Sequence, residues 1–201
     1  ELAPVYLISF LTQKMLLMAI YERWNEVKVS DAAKRIGVST KSASRCFDEL
    51  EYLNIDVLGM KGKSRVINIP NDRKQVWQQI ENVLRNPVIR RFVLREDMKI
   101  EKKAGISALC EYSLLSDNVY PTYAVTKREL KASGVKVEKQ VSELEEIGCV
   151  VLELGYFIDF LGKGFQDPLS VVLSLTGEEQ EEERVDISIN EMLEEYVWSK
   201  D

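Results

Sequence analysis

Between positions 32 and 47 the chain places four basic residues, Lys34, Arg35, Lys41 and Arg45, and no carboxylate. Hydroxyls fill the space around them: Ser39, Thr40, Ser42 and Ser44. Cations interleaved with hydroxyls are the side chains that neutralise phosphates and read polar base edges. A second basic group, Lys61, Lys63 and Arg65, lies within residues 57 to 71, again without an acid. The acids of the region, Asp48, Glu49, Glu51 and Asp56, fall between the two groups. Ser39, Thr40, Lys41, Ser42, Ser44, Arg45, Lys61, Lys63 and Arg65 are therefore candidate contacts to double-stranded DNA. The plain alternative is a solvated charged face on a small α/β domain.

Bond-making chemistry has less to stand on. The chain has no histidine, which removes Ser-His and Cys-His nucleophile pairs and histidine metal ligands. Asp117 followed by Glu129-Leu-Lys131 has the residue order of a metal-dependent nuclease. On a helix, however, residues two apart do not share a face, and such a site needs both projecting together. Asp159 and Asp167 are a formal metal pair, but turn chemistry alone explains Asp167-Pro168. Ser107 lacks a base and reads as a cap or an interior hydroxyl. Gly155, Gly162 and Gly164 make no phosphate-cradling loop. Cys46, Cys110 and Cys149 are spaced too widely for a disulfide framework or a zinc site. No enzyme activity, cofactor or metal is expected.

The elements needed to present the basic residues are legible around them. Residues 30 to 36 and 39 to 53 read as two helices joined by a turn at Gly37-Val38. Ser30 and Ser39 are the expected N-caps. Ala33 and Ile36 face the second helix, whose Ala43, Phe47, Leu50 and Leu53 form one buried stripe. Lys41, Ser44 and Arg45 fall away from that stripe, as on a recognition helix entering the major groove. Ile55 to Gly59 and Ser64 to Ile69 are β-branched runs joined by residues 60 to 63, a hairpin. A hairpin in this place is a wing, and its tip should carry Lys61, Lys63 and Arg65. A helix over 11 to 26, opening with Thr12 as cap, should supply Leu16, Ile20 and Trp24 to the core.

The expected fold is α+β: an N-terminal winged helix-turn-helix followed by a mixed α/β domain. Residues 1 to 70 form the winged helix, 71 to 86 a connecting helix (about 72 to 84), and 87 to 201 the second domain. In the last, strands are expected at 88 to 94, 122 to 125, 135 to 137 and 149 to 154. Helices are expected at 106 to 115 and 127 to 131, the latter capped by Thr126, and at 185 to 198. Asp167-Pro168 should turn into the apolar run 169 to 175, and residues 178 to 183 form an acid run. That run is either a solvated segment or a docking surface for a basic partner.

Charge separates the two parts. Residues 1 to 103 carry nineteen basic and thirteen acidic side chains, whereas residues 104 to 201 carry eight and twenty. The overall −6 thus conceals a basic front and a strongly acidic back, which implies different partners for each. The longest apolar run, Met15 to Tyr21, is far short of the about 20 residues a membrane span needs. No membrane partner is expected, and the cytoplasm is the expected location. The chain does not open with Met, as a trimmed chain would not.

Two segments of the second domain carry a family resemblance. Ala104-Gly-Ile-Ser-Ala-Leu109, continuing through Leu115-Ser-Asp117 to Pro121-Thr-Tyr123, resembles the characteristic block of the AbiEi-type antitoxins. Asp167-Pro-Leu-Ser-Val-Val-Leu-Ser-Leu175, trailed by acids and Arg184, resembles a second stretch of that group. The group is similar to bacterial winged-helix regulators of MarR-like type. The resemblance implies a sequence-specific regulator that represses its own operon and counteracts a nucleotidyltransferase-like toxin. It also implies a protein partner, while pairing of the connecting helix with its copy in a homodimer is left open by the sequence. Two other classes remain open: a winged helix targeting a metal-dependent nuclease or transferase domain, and a winged helix used only for protein–protein contact.

Overall fold

Ser9 starts the first helix. Its hydroxyl accepts the Thr12 backbone N–H, and the helix runs from Phe10 to Glu22 (α1) in the computed structural model, which describes residues 6–133 and 146–199. The expected cap, Thr12, is instead buried inside the first turn. Here the residue three positions earlier wins, because only a residue outside the helix can turn its oxygen back onto the free N–H groups. Described residues form a mixed α+β chain with two three-stranded sheets. The chain divides into two compact units, Glu1–Arg85 and Asn86–Asp201.

In the first unit, Val27–Lys28 (β1) runs directly into Val29–Ile36 (α2). Ser30 is therefore inside α2 and does not cap it; Lys28 holds the cap position and makes no side-chain cap bond. The reason is the ladder: Val27 and Lys28 are already paired with Ile67 and Val66, so the helix begins where the strand ends. Gly37 ends α2 at φ +72, a left-handed conformation that a glycine adopts without a Cβ penalty. Thr40–Tyr52 (α3) is next, capped by Ser39, whose Oγ accepts the Ser42 N–H at 3.1 Å.

Leu58–Lys61 (β2) and Ser64–Ile67 (β3) pair antiparallel with Lys61 opposite Ser64. The link is thus two residues, Gly62-Lys63, with φ +62 at Gly62, shorter than the expected 60 to 63. β1 pairs on the other side of β3, giving the order β1-β3-β2. Arg73–Ile80 (α4), capped by Asp72, stops four residues before its expected end and belongs to the first unit. Arg73 reaches the Ile20 carbonyl at 3.4 Å, and Gln13 exchanges two 2.9 Å hydrogen bonds with the Arg85 backbone, tying this segment to α1. Leu16, Ile20, Trp24, Phe47, Leu50, Ile67 and Ile80 fill the core.

The second unit is built on a central strand, Cys149–Leu154 (β6), buried at every position. Val88–Leu94 (β4) pairs with it antiparallel and Thr122–Thr126 (β5) parallel, in the order β4-β6-β5. Val150, Leu152 and Leu154 pack with Ala104 and Ala124 on one face. Cys149 and Val151 pack with Tyr123, Val125 and Leu130 on the other. Around the sheet lie Gly105–Tyr112 (α5), Lys127–Ser133 (α6), Pro168–Ser174 (α7), Gly177–Glu181 (α8) and Glu183–Leu193 (α9).

Thr126 caps α6 as expected, with Glu129 returning a bond to the Thr126 N–H. The expected turn at Asp167-Pro168 is the start of a helix: Asp167 accepts the Ser170 N–H at 3.1 Å and proline takes the first helical position. The acid run is helical too, because Thr176 and Glu179 form a reciprocal capping box that starts α8. α9 ends in a π-helical turn, Glu194–Trp198. The strand expected at 135 to 137 lies outside the described residues.

Candidate nucleic-acid interface

The nine candidate residues of the first unit fall into three groups once their partners are known. Ser39, Ser42 and Ser44 are occupied. Ser39 donates to the Ser42 hydroxyl at 3.0 Å and caps α3, while Ser44 accepts from Arg65 at 3.3 Å. Thr40, Lys41 and Arg45 are exposed on the first two turns of α3. These turns also carry the positive end of the helix dipole, so three sources of positive potential coincide there.

The hairpin cations divide likewise. Lys63 sits in the turn, exposed. Lys61 pairs with Glu26 at 2.6 Å, both ends about half exposed. Arg65 lies on β3 opposite Met60 rather than at the tip, and is tied to α3. Its Nη1 meets Asp48 at 2.7 Å and Glu51 at 3.2 Å, and its guanidinium lies over the Phe47 ring. Among the described residues, Lys41, Arg45 and Lys63 make no ion pair. Arg35 is stacked on Trp24 at 5.3 Å, and the Trp24 indole N–H donates to Glu22. In sequence every one of these cations has the same weight; their partners make them unequal.

The residues weighed for catalysis are engaged in structure. Ser107 is buried, donates to Asp117 at 3.0 Å and accepts the Thr122 N–H at 2.8 Å. Burial raises the Glu129 carboxyl, but its ion pair with Lys102 and the Thr126 N–H more than offset this and hold it below the usual range. Asp159 accepts from the Gly164 N–H, and Asp167 caps α7. Among the described residues no three histidines, cysteines or carboxylates gather as a metal site would. Burial, with Asp117 and Glu111 nearby, pushes the Cys110 thiol up to about 11, the opposite of an activated nucleophile.

A feature not expected from the sequence lies in the second unit. The end of α5 and the π-helical turn border a cavity of about 710 Å³. Glu111, Glu191, Glu194 and Glu195 line it with Tyr112 and Tyr196, whose rings meet edge to face at 5.1 Å. Leu114, on its rim, is 95 % exposed. Its signal in the sequence is the spacing of Glu191 and Glu195, one helical turn apart, which puts both on one face. The acid run 178 to 183 is the more conspicuous feature only because its acids are nearly contiguous.

No family model matches the chain, and comparison with curated proteins and with solved structures returns no match either.

Proposed function

We propose that the first unit is a winged helix that binds double-stranded DNA and that the chain is a transcriptional regulator. The observation that supports this best is where the unpaired cations stand. Lys41 and Arg45 are on the opening turns of α3, and Lys63 is in the β2–β3 turn. The element order α1-β1-α2-α3-β2-β3, with β1 closing the hairpin into a small sheet, is the scaffold such a reading requires. Arg45 is the base-reading candidate, since a bidentate guanidinium–guanine pair discriminates by about 1–3 kcal/mol. Lys41 and Lys63 hold phosphates.

The test is equilibrium binding of the full chain to a mixed-sequence duplex across a salt series. Each phosphate contact contributes about −0.9 to the log–log slope, so the two contacts of Lys41 and Lys63 give roughly −2 per protomer. Absence of duplex binding, or binding indifferent to salt, overturns the reading.

For the second unit we favour a partner-facing role, in line with the antitoxin resemblance. The glutamate-lined cavity with Leu114 on its rim supports it, since a basic protein surface is attracted there while DNA is repelled. Co-expression of the chain with the product of the adjacent gene, scored for growth rescue, tests it. Rescue by residues 1–85 alone overturns it.

A further inference from the structure

We propose that Arg65 is a positioning residue, not a DNA contact: it clamps the hairpin to α3 and so sets where Lys63 stands relative to Arg45. The inference rests on the DNA-binding reading for its functional meaning, but the clamp itself is independent of DNA. The Arg65 side chain touches four residues of α3 at once. It donates to Asp48 at 2.7 Å, to Glu51 at 3.2 Å and to Ser44 at 3.3 Å, and its guanidinium carbon lies 5.7 Å from the Phe47 ring centroid. Positions 44, 47, 48 and 51 recur at three- and four-residue steps, so they form one face of α3 two turns long. A single planar fork spans that face.

Coverage shows which partner is being held. The Arg65 side chain is 27 % exposed, whereas Asp48 and Glu51 are 64 % and 69 % exposed. The cation is enclosed and the carboxylates are wet, the reverse of a basic residue offered to a phosphate. A phosphate reaching Arg65 would meet two carboxylates beside it. The clamp also offsets part of the negative charge of Asp48 and Glu51, which stand on the half of α3 next to the basic half carrying Lys41 and Arg45.

A lysine cannot reproduce this arrangement, because one ammonium nitrogen cannot bond Asp48 and Glu51, place a second donor on Ser44 and lay a planar group over Phe47 at the same time. That makes Arg65→Lys the decisive variant: it keeps the charge and removes the clamp. The full chain and its variants are measured in two ways: binding to a mixed-sequence duplex across a salt series, and amide hydrogen exchange of residues 60 to 66 without DNA.

Arg65→Lys should weaken duplex binding about tenfold, keep the wild-type salt slope and lose protection in the hairpin. Asp48→Asn combined with Glu51→Gln should lose the same protection and fail to tighten binding, although it removes two negative charges from the DNA-facing helix. If instead Arg65→Lys matches wild type in affinity and exchange, and Arg65→Gln lowers the slope by about one, Arg65 contacts phosphate and the clamp is wrong. Should the wild-type chain bind no duplex at all, the DNA reading fails, and exchange in Arg65→Lys still decides whether the clamp exists.

Discussion

The two units differ in how much polar chemistry they bury: the first encloses Thr12, Gln13 and Arg73, the second a longer set. The first leaves Lys41, Arg45 and Lys63 in solvent around an apolar core of Leu16, Ile20, Trp24, Phe47 and Leu50. The second buries Ser107, Thr122, Glu153, Gln166, Asp167, Ser170 and Ser174. Most of these are bonded to one another or to nearby backbone. Gln166 is the centre of that arrangement: its Oε1 accepts the Gly105 N–H at 3.0 Å and its Nε2 donates to Ser174 at 2.8 Å. Its backbone carbonyl accepts the Tyr112 hydroxyl, and Tyr156 shares a bond with Ser170. The lesson is that hydroxyls and carboxylates which look reactive in the second unit's sequence are engaged in bonds that hold its loops and helices together.

The contrast can be broken at its strongest point first. Phe47→Ala removes a fully buried ring and should cost about 3–5 kcal/mol, read by urea denaturation. A cost below about 1 kcal/mol would mean that the first unit does not depend on its apolar core. Gln166→Ala should cost about 2–3 kcal/mol, because it leaves the Gly105 N–H and the Ser174 hydroxyl with fewer partners in a buried site. A neutral result there would show the polar network to be ornament, and the comparison would collapse.

A finer test sets one exposed cation from each unit side by side. Lys63→Ala should flatten the salt slope of duplex binding by about 0.9, whereas Lys131→Ala, exposed on α6, should leave it unchanged. Equal effects would mean that positive charge anywhere on the chain serves DNA equally.

The smallest effect concerns pH. Glu129 has a folded-state carboxyl held below its ordinary value of 4.5. Its ion pair with Lys102 is part-exposed, so it contributes no more than about 0.5 kcal/mol. For a depressed carboxyl that contribution is present above the unfolded value and is lost as pH falls through the folded one. The melting-temperature gap between wild type and Glu129→Gln should therefore be visible at pH 6 and shrink as pH falls below 4.5. A gap that widened on acidification would reverse the sign assigned to the Lys102 pair.

Local chemistry was the readable part of this sequence. Ser39 caps α3, Thr126 caps α6, Gly37 ends α2, and β4, β5 and β6 stand within a residue of where β-branched runs put them. Each depends on residues a few positions apart, which periodicity captures. What the sequence concealed was set by distant pairing. Ser30 lost its cap role because β3 holds Val27 and Lys28, some forty positions away. Arg65 stands off the hairpin tip because the two-residue turn closes at Lys61 and Ser64, and its side chain turns to Asp48 and Glu51 on another element. The glutamate-lined cavity needed α5 and the π-helical turn to meet, and the spacing of Glu191 and Glu195 shows the face they share but not what that face meets. The helix at Asp167-Pro168 was missed for a different reason. Asp-Pro serves turns and helix starts equally well, and the apolar residues 169 to 175 decide between them only by packing.

One detail of the second sheet has a bearing on how the chain behaves in concentrated solution. Among the described residues β4 is an outer strand, seven residues long, with one side of its backbone unpaired in the sheet. Long open strands recruit other strands and start aggregates. This one is interrupted: its register with β6 slips between Val88 and Arg90, so Ile89 has no partner opposite it. Arg90 and Arg91 come at once after it, the first held by Glu153 at 2.5 Å and the second beside Glu179. A kinked strand bearing two fixed cations is a poor template for a second copy, whose own arginines would meet them. The irregularity at Ile89 and the two arginines that follow it are features of the kind that discourage a second strand from pairing along an open edge.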